Sequence, residues 1–228
     1  MMFADRTDAG RRLARELQRF RREKPVVLGL ARGGVPIGCE IALALHAPLD
    51  VLLVRKIGVP WQPELAAGAI VDGARIDQVM DRNLIATLSI PEDYLEKEVA
   101  RQAKEIERRR RVYFGDRPPI EIAGRSVIVT DDGIATGASM RAVLLALRRR
   151  NPARLILAVP VAPSDSIAGL RTEADEIVCL TTPAEFGAIS LFYEDFHQVE
   201  DAEVVACLDR AAKAEAARGP THGESPAS

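Results

Sequence analysis

Val127-Ile128-Val129-Thr130-Asp131-Asp132-Gly133-Ile134-Ala135-Thr136-Gly137-Ala138-Ser139 is the stretch from which the fold follows. It predicts a buried strand, then two adjacent carboxylates, then a tight Gly/Thr/Ser loop. A helix comes next, with Val143, Leu144 and Leu147 on its apolar face. Strand, loop and helix in that order form half of a βα unit, which presents backbone N–H groups at a helix start, where phosphate binds. Two aspartates repel phosphate. They suit a sugar diol, because carboxylate oxygens accept two hydroxyl hydrogens side by side. Phosphate-binding amides beside diol acceptors describe a pocket for a ribose 5-phosphate.

Working outward, Val26 to Leu30 predicts a first core strand. It runs into Ala31-Arg32-Gly33-Gly34 and a helix from about Pro36 to Leu45, with Pro36 suited to a first helical turn. The glycines permit a tight turn with close backbone approach to a ligand. Asp50 to Val54 predicts a second strand, with Arg55-Lys56 at its C-terminal end, where open α/β sheets bind ligands. Arg154 to Val159 and Asp175 to Leu180 predict two more strands, with a helix over Ile167 to Arg171 between them. The alternation argues for an α/β fold with a doubly wound, mainly parallel sheet.

The decorations are an amphipathic helix over Asp5 to Arg22, with Ala9, Leu13, Leu17 and Phe20 on its stripe, and an insertion from Gly58 to Arg125. The insertion predicts a hairpin, Leu65 to Val71 and Arg75 to Met80 around Asp72-Gly73, and a charged helix from Pro91 to about Tyr113 whose Arg108 to Arg111 form a solvated end. Ala184 to Val199 is aromatic-rich, with Phe186, Phe192, Tyr193 and Phe196. Glu203 to Ala212 predicts a last helix, giving one domain over residues 1–212 and a disordered tail over 213–228.

The chain has 228 residues, 47% of them hydrophobic, and a formal charge of −2, so nothing overall draws it to nucleic acid. Cys39, Cys179 and Cys207 are scattered and odd in number, which fits buried thiols rather than disulfides or zinc. No signal peptide and no run of membrane-spanning length is present, and a cytoplasmic protein is expected. His46 and His197 read as structural, because no metal-ligand cluster includes them.

The central stretch resembles the signature of the type I phosphoribosyltransferases: two acidic residues, a spacer and Thr-Gly-x-Ser/Thr after an apolar strand. The resemblance implies a transferase that uses 5-phosphoribosyl 1-diphosphate (PRPP) and Mg²⁺, with few direct protein ligands to the metal. It implies that Arg32, Gly33 and Gly34 hold the diphosphate and that Arg55 and Lys56 neutralise it as it leaves. It implies that Asp131 and Asp132 orient the ribose, and that Gly133, Ile134, Ala135, Thr136, Gly137, Ala138 and Ser139 complete the site and seat the 5-phosphate. The insertion, including Gly58, Pro60, Trp61, Gln62 and Pro63, corresponds to a lid or its hinge, and Ala184 to Val199 to a small hood whose Tyr193 and Asp195 are acceptor contacts. A third acid, present where 6-oxopurines are the acceptor, is here Ala135. The acceptor stays unidentified, a homodimer stays open, and a PRPP sensor without transfer chemistry is the alternative.

Overall fold

The computed structural model describes residues 1–72, 76–115 and 117–217. Its floor is a five-stranded, all-parallel sheet in the order β2-β1-β6-β7-β8. The strands are β1 (Val26–Leu30), β2 (Leu49–Leu52), β6 (Ser126–Thr130), β7 (Arg154–Val161) and β8 (Glu176–Thr181). Every residue of β1, β2 and β6 is buried, as expected for parallel strands covered on both faces.

Side-chain alternation builds two apolar layers. Val27, Ile128 and Ile156 face α1 (Arg6–Glu16), α2 (Gly34–Leu45) and α7 (Asp201–Ala216). Val26, Val127, Val129, Leu155 and Leu157 face α5 (Ala138–Arg148) and α6 (Ser164–Leu170). The chain goes from β1 outward to β2, then returns on the other side of β1 as β6. The β1–β6 junction is therefore the point where strand order reverses, and open α/β sheets bind ligands there.

Between β2 and β6 lies a second, antiparallel sheet of β3 (Val54–Val59), β4 (Gln62–Val71) and β5 (Asp77–Met80). Two helices follow it, α3 (Arg82–Thr87) and α4 (Glu92–Phe114). Two ion pairs brace this outer sheet. Arg110 Nη1 meets the buried Asp72 carboxylate at 2.6 Å. Arg150 binds the Asp72 carbonyl at 2.6 Å and Asp77 at 2.9 Å.

Several sequence expectations are corrected. The strand expected over Asp50 to Val54 is two strands in two sheets, because Arg55 and Lys56 cannot continue in a sheet buried on both faces. The insertion thus begins before Gly58. The first helix stops at Glu16, and a 3₁₀ segment over Gln18–Glu23 tightens the chain so that Phe20 turns inward. Arg110 is not part of a solvated helix end, since it reaches Asp72 and stacks 4.7 Å from the Phe114 ring centre. The last helix starts at Asp201 behind a Glu200/Glu203 capping box, buries Val204, Leu208 and Ala211, and continues to Ala216, past the expected start of the tail at 213. Gly73 and Arg75 of the expected hairpin and the tail over Gly219 to Ser228 lie outside the described residues. Only Cys39 is buried; Cys179 and Cys207 are half-buried, and all three are free.

Candidate active site

Two loops meet at the β1–β6 junction. The first leaves β1 through a cis Ala31–Arg32 peptide bond and enters α2, with Gly33 at the cap position. The second leaves β6 through Asp131 and Asp132 and enters α5, with Gly137 at the cap position. They touch so closely that side chains at 33 or 34 have no room. A Cβ on Gly33 would collide with the Asp132 carboxylate, and one on Gly34 would come within 2.5 Å of the Thr130 carbonyl oxygen.

Gly137 has φ +79°, the left-handed region that glycine adopts without steric cost. This turn lets α5 start directly behind the loop. The first N–H groups of a helix have no intrahelical acceptor and carry the positive end of its dipole, so Thr136 to Ser139 form a seat whose chemistry suits an anion. Ser166 Oγ donates to the Ala135 carbonyl at 2.6 Å, and the Ile134 N–H donates to Val161 at 2.9 Å; these bonds fix the loop between β7 and α6.

A cleft of about 650 Å³ opens beside this seat. Thr136, Gly137, Ala138 and Ser139 line one wall, and Lys56, Gly68, Ala69 and Met80 of the outer sheet line the other. Two cations line this cleft: Lys56 from the outer sheet, and Arg141 of α5, whose Nε also meets Glu173 at 3.3 Å. Arg55 is not brought there. Successive side chains of a strand point to opposite faces, so Arg55 turns away and its Nε donates to Gln102 at 2.8 Å. Arg32 leans toward α7 instead, with Nη1 3.7 Å from Glu200 and 3.8 Å from Asp201.

The acidic pair sits at the head of the loop, outside the lining of this cleft. Burial and then the Asp132 charge push the Asp131 carboxyl well above the usual carboxylate range. Burial also pushes Asp132 up, against the pull of the Arg6 guanidinium. Asp131 Oδ1 accepts the Asp132 N–H at 2.9 Å. Among the described residues no group of three or more His, Cys, Asp or Glu is arranged to hold a metal ion. One half-buried carboxylate fits an Mg²⁺ carried mainly by substrate oxygens and water, not a cage of protein ligands.

Tyr193 is packed inward and 5% exposed. Its ring packs between Phe3, at 5.4 Å, and Phe196, at 5.0 Å, and its hydroxyl donates to the Asp132 carbonyl at 2.6 Å. Burial pushes that phenol up, so it stays a donor. Asp195 is exposed and bonded to His197, so it is turned to solvent. Trp61, at the β3–β4 turn, is 61% exposed.

Two residues of the site go unseen in the sequence. Ile189 covers Gly133, where a Cβ would come within 2.7 Å of its side chain. Arg6 binds Asp132 at 2.9 Å from the far end of the chain. A signal for Arg6 existed: it falls on the same helical stripe as Ala9 and Leu13, and a cation on an apolar stripe needs a buried partner.

Comparison with known proteins agrees with this architecture. Residues 4–196 match the model of the phosphoribosyl transferase domain. The chain is 45% identical over 211 residues to "Putative phosphoribosyl transferase Rv0571c" of Mycobacterium tuberculosis (strain ATCC 25618 / H37Rv). The figures are the same for "Putative phosphoribosyl transferase MT0597" of strain CDC 1551 / Oshkosh. The match covers 92% of this chain and 47% of those proteins, so the chain spans about half the length of the curated relatives it matches. Among solved structures it resembles TT1426 from Thermus thermophilus, with 42% identity and a TM-score of 0.77 over 91% of this chain and 98% of that one.

Proposed function

The chain belongs to the phosphoribosyl transferase family, and from that premise we propose that it moves the 5-phosphoribosyl group of PRPP to a nitrogen acceptor and releases diphosphate. The observation that carries this reading is the junction itself, where an anion-binding helix start and an acidic pair share one loop against the Gly33–Gly34 turn. In the reaction the bond from C1 to the diphosphate oxygen breaks and the oxygen keeps the electron pair. The acceptor nitrogen forms the new bond to C1 and gives up a proton.

The chain's part is mainly electrostatic. Thr136 to Ser139 hold the 5-phosphate and fix the sugar at one end. Asp131 accepts hydrogen bonds from the ribose diol, and its negative charge opposes the positive charge that grows at C1, as in glycoside chemistry. Lys56 offsets charge on the leaving diphosphate. Mg²⁺ would be held with the help of Asp131 and would supply Lewis-acid stabilisation of the leaving group. The Gly33–Gly34 turn, packed without side chains against Asp132 and Thr130, sets the β1 loop beside the diphosphate.

Calorimetry with PRPP and Mg²⁺, followed by diphosphate release across a panel of nitrogen acceptors, tests the proposal. Binding and release are expected, and no binding of PRPP would overturn it. A PRPP sensor is the second reading. Arg32 favours it, because its nearest charged groups are Glu200 and Asp201 and not the cleft. Binding with no diphosphate release from any acceptor would select the sensor.

Acceptor choice follows from Ala135, an exposed methyl group that can take no proton from a purine ring nitrogen. Loss of a general base costs roughly 10²- to 10⁴-fold. Hypoxanthine and guanine are therefore expected to be poor acceptors. Nucleotide formation from hypoxanthine at about 1 per second or faster would contradict this.

A further inference from the structure

The two carboxylates of the loop are not equivalent. Arg6 Nε and Nη2 both meet Asp132 Oδ2, at 3.0 and 2.9 Å. Arg6 Nη1 donates to the His197 carbonyl at 2.8 Å, and the guanidinium lies 4.0 Å from the Phe196 ring centre. The Arg6 and Asp132 side chains are only 9% and 13% exposed. Carboxylate, carbonyl and aromatic face together engage a rigid planar cation, which holds its partner in one orientation.

Asp132 is held from its other sides as well. Its carboxylate fills the space that a side chain at Gly33 would need, and its carbonyl receives the Tyr193 hydroxyl. The N-terminal helix, the turn after β1 and the aromatic loop thus converge on this one residue. Asp131 is held differently: its Oδ1 accepts the neighbouring N–H, which leaves lone pairs on both oxygens for a ligand.

We infer that Arg6 is a positioning residue, which commits Asp132 to the protein and leaves Asp131 as the carboxylate that meets the ribose diol. The inference rests on the PRPP reading above and divides the acidic pair into a ligand-facing member and a member that joins three segments. It also assigns the N-terminal helix a part in the site, although no residue of that helix lines the cleft.

The test is a double-mutant cycle on PRPP affinity, with wild type, Arg6→Met, Asp132→Asn and the double variant. Each single change should weaken PRPP binding about tenfold or more. The double variant should bind no worse than the weaker single, because both changes remove the same pair. Arg6→Lys should recover part of the loss. Affinity for inorganic phosphate, which needs only the helix start of α5, should stay within about twofold of wild type in all variants; a merely structural role would weaken both ligands together.

Unchanged PRPP affinity in Arg6→Met, or effects that multiply in the double variant, would overturn the inference while the PRPP reading stands. If wild type binds no PRPP, the functional reading falls and the inference with it. If Arg6→Met does not fold, Arg6→Lys decides: weaker PRPP binding at an unchanged melting temperature supports the inference, and wild-type affinity overturns it.

Discussion

The five-stranded floor and the three-stranded outer sheet supply opposite walls of one cleft, yet ion pairs add to burial mainly in the outer sheet. The floor is fixed by burial: β1, β2 and β6 expose no residue, and apolar layers cover both faces. The outer sheet keeps half-buried positions along β3 and β5. Its link to the rest depends in part on Arg110 and Arg150, which meet Asp72 and Asp77. The difference separates two duties. The anion seat and acidic pair stand on the part that cannot yield without unfolding. Lys56 stands on a part that buries Ile57, Ile70 and Val71 against the floor's apolar layers and is braced besides by directional contacts that a single substitution can remove.

The sharpest way to break this contrast is Arg110→Met. It removes the cation from a carboxylate that is 4% exposed, and breaking such a pair costs about 3–5 kcal/mol. The melting temperature should fall by roughly 10 °C. Hydrogen exchange should quicken first in β3 to β5, while the β1 and β6 amides stay protected. Equal loss of protection in both sheets would show that they form one cooperative unit.

Asp131→Asn should act the opposite way, on ligand and not on stability. Its folded pKa is raised, so the charged carboxylate opposes folding, increasingly as pH rises through its unfolded value of about 3.9. Asn relieves that cost and keeps the bond to the Asp132 N–H. The melting temperature at pH 8 should hold or rise, while PRPP affinity drops about 10- to 100-fold. A large loss of stability would mean that Asp131 serves the floor and not the ligand.

The contrast is legible in the sequence only where neighbours in space are neighbours in the chain. The loop from Asp131 to Ser139 is continuous, so its strand, turn and helix start could be read from local chemistry. The same holds for the Arg32-Gly33-Gly34 turn. Arg55 and Lys56 looked alike as adjacent cations, and only the strand period, once β3 was seen, turned them to opposite faces. Arg6 and Asp132 join distant parts of the chain, and no local pattern pairs them. Tyr193 shows the same limit: nothing in its neighbourhood in the chain announces the bond from its hydroxyl to the Asp132 carbonyl.

Two smaller effects sharpen the comparison further. Gly137→Ala finds space, since the nearest atom to the new Cβ is Leu170 Cδ1 at 3.5 Å, but not backbone freedom, since φ is +79°. Stability should fall by about 1 kcal/mol. Ribose 5-phosphate should bind about fivefold more weakly in calorimetry, as the strained turn shifts the α5 amides. Retained affinity would move the anion seat elsewhere.

The smallest effect belongs to the hood. Glu203 and then Asp195 raise the His197 pKa, so its contribution is present below the unfolded value of about 6.5 and is lost as pH rises through the folded one. The group is 52% exposed and screened by water, so the contribution is small. His197→Ala should lower the melting temperature slightly at pH 5.5 and not at pH 9. A deficit that persists at pH 9 would show that His197 matters through packing and not charge.

The strand order has a consequence for how the molecule comes into being. Val26 of β1 lies beside Val127 of β6, so the two halves of the site are brought together by the sheet's most distant central pairing in the chain. Until β6 emerges during synthesis, β1 can pair with β2 alone and leaves its other edge, a row of unpaired N–H and C=O groups on an apolar strand, bare. Such edges recruit other strands, and pairings across long stretches of chain form slowly. The nascent chain is therefore most prone to aggregate while the outer sheet and α4 are being made, and the closing of β6 onto β1 ends that exposure in the same step that assembles the site.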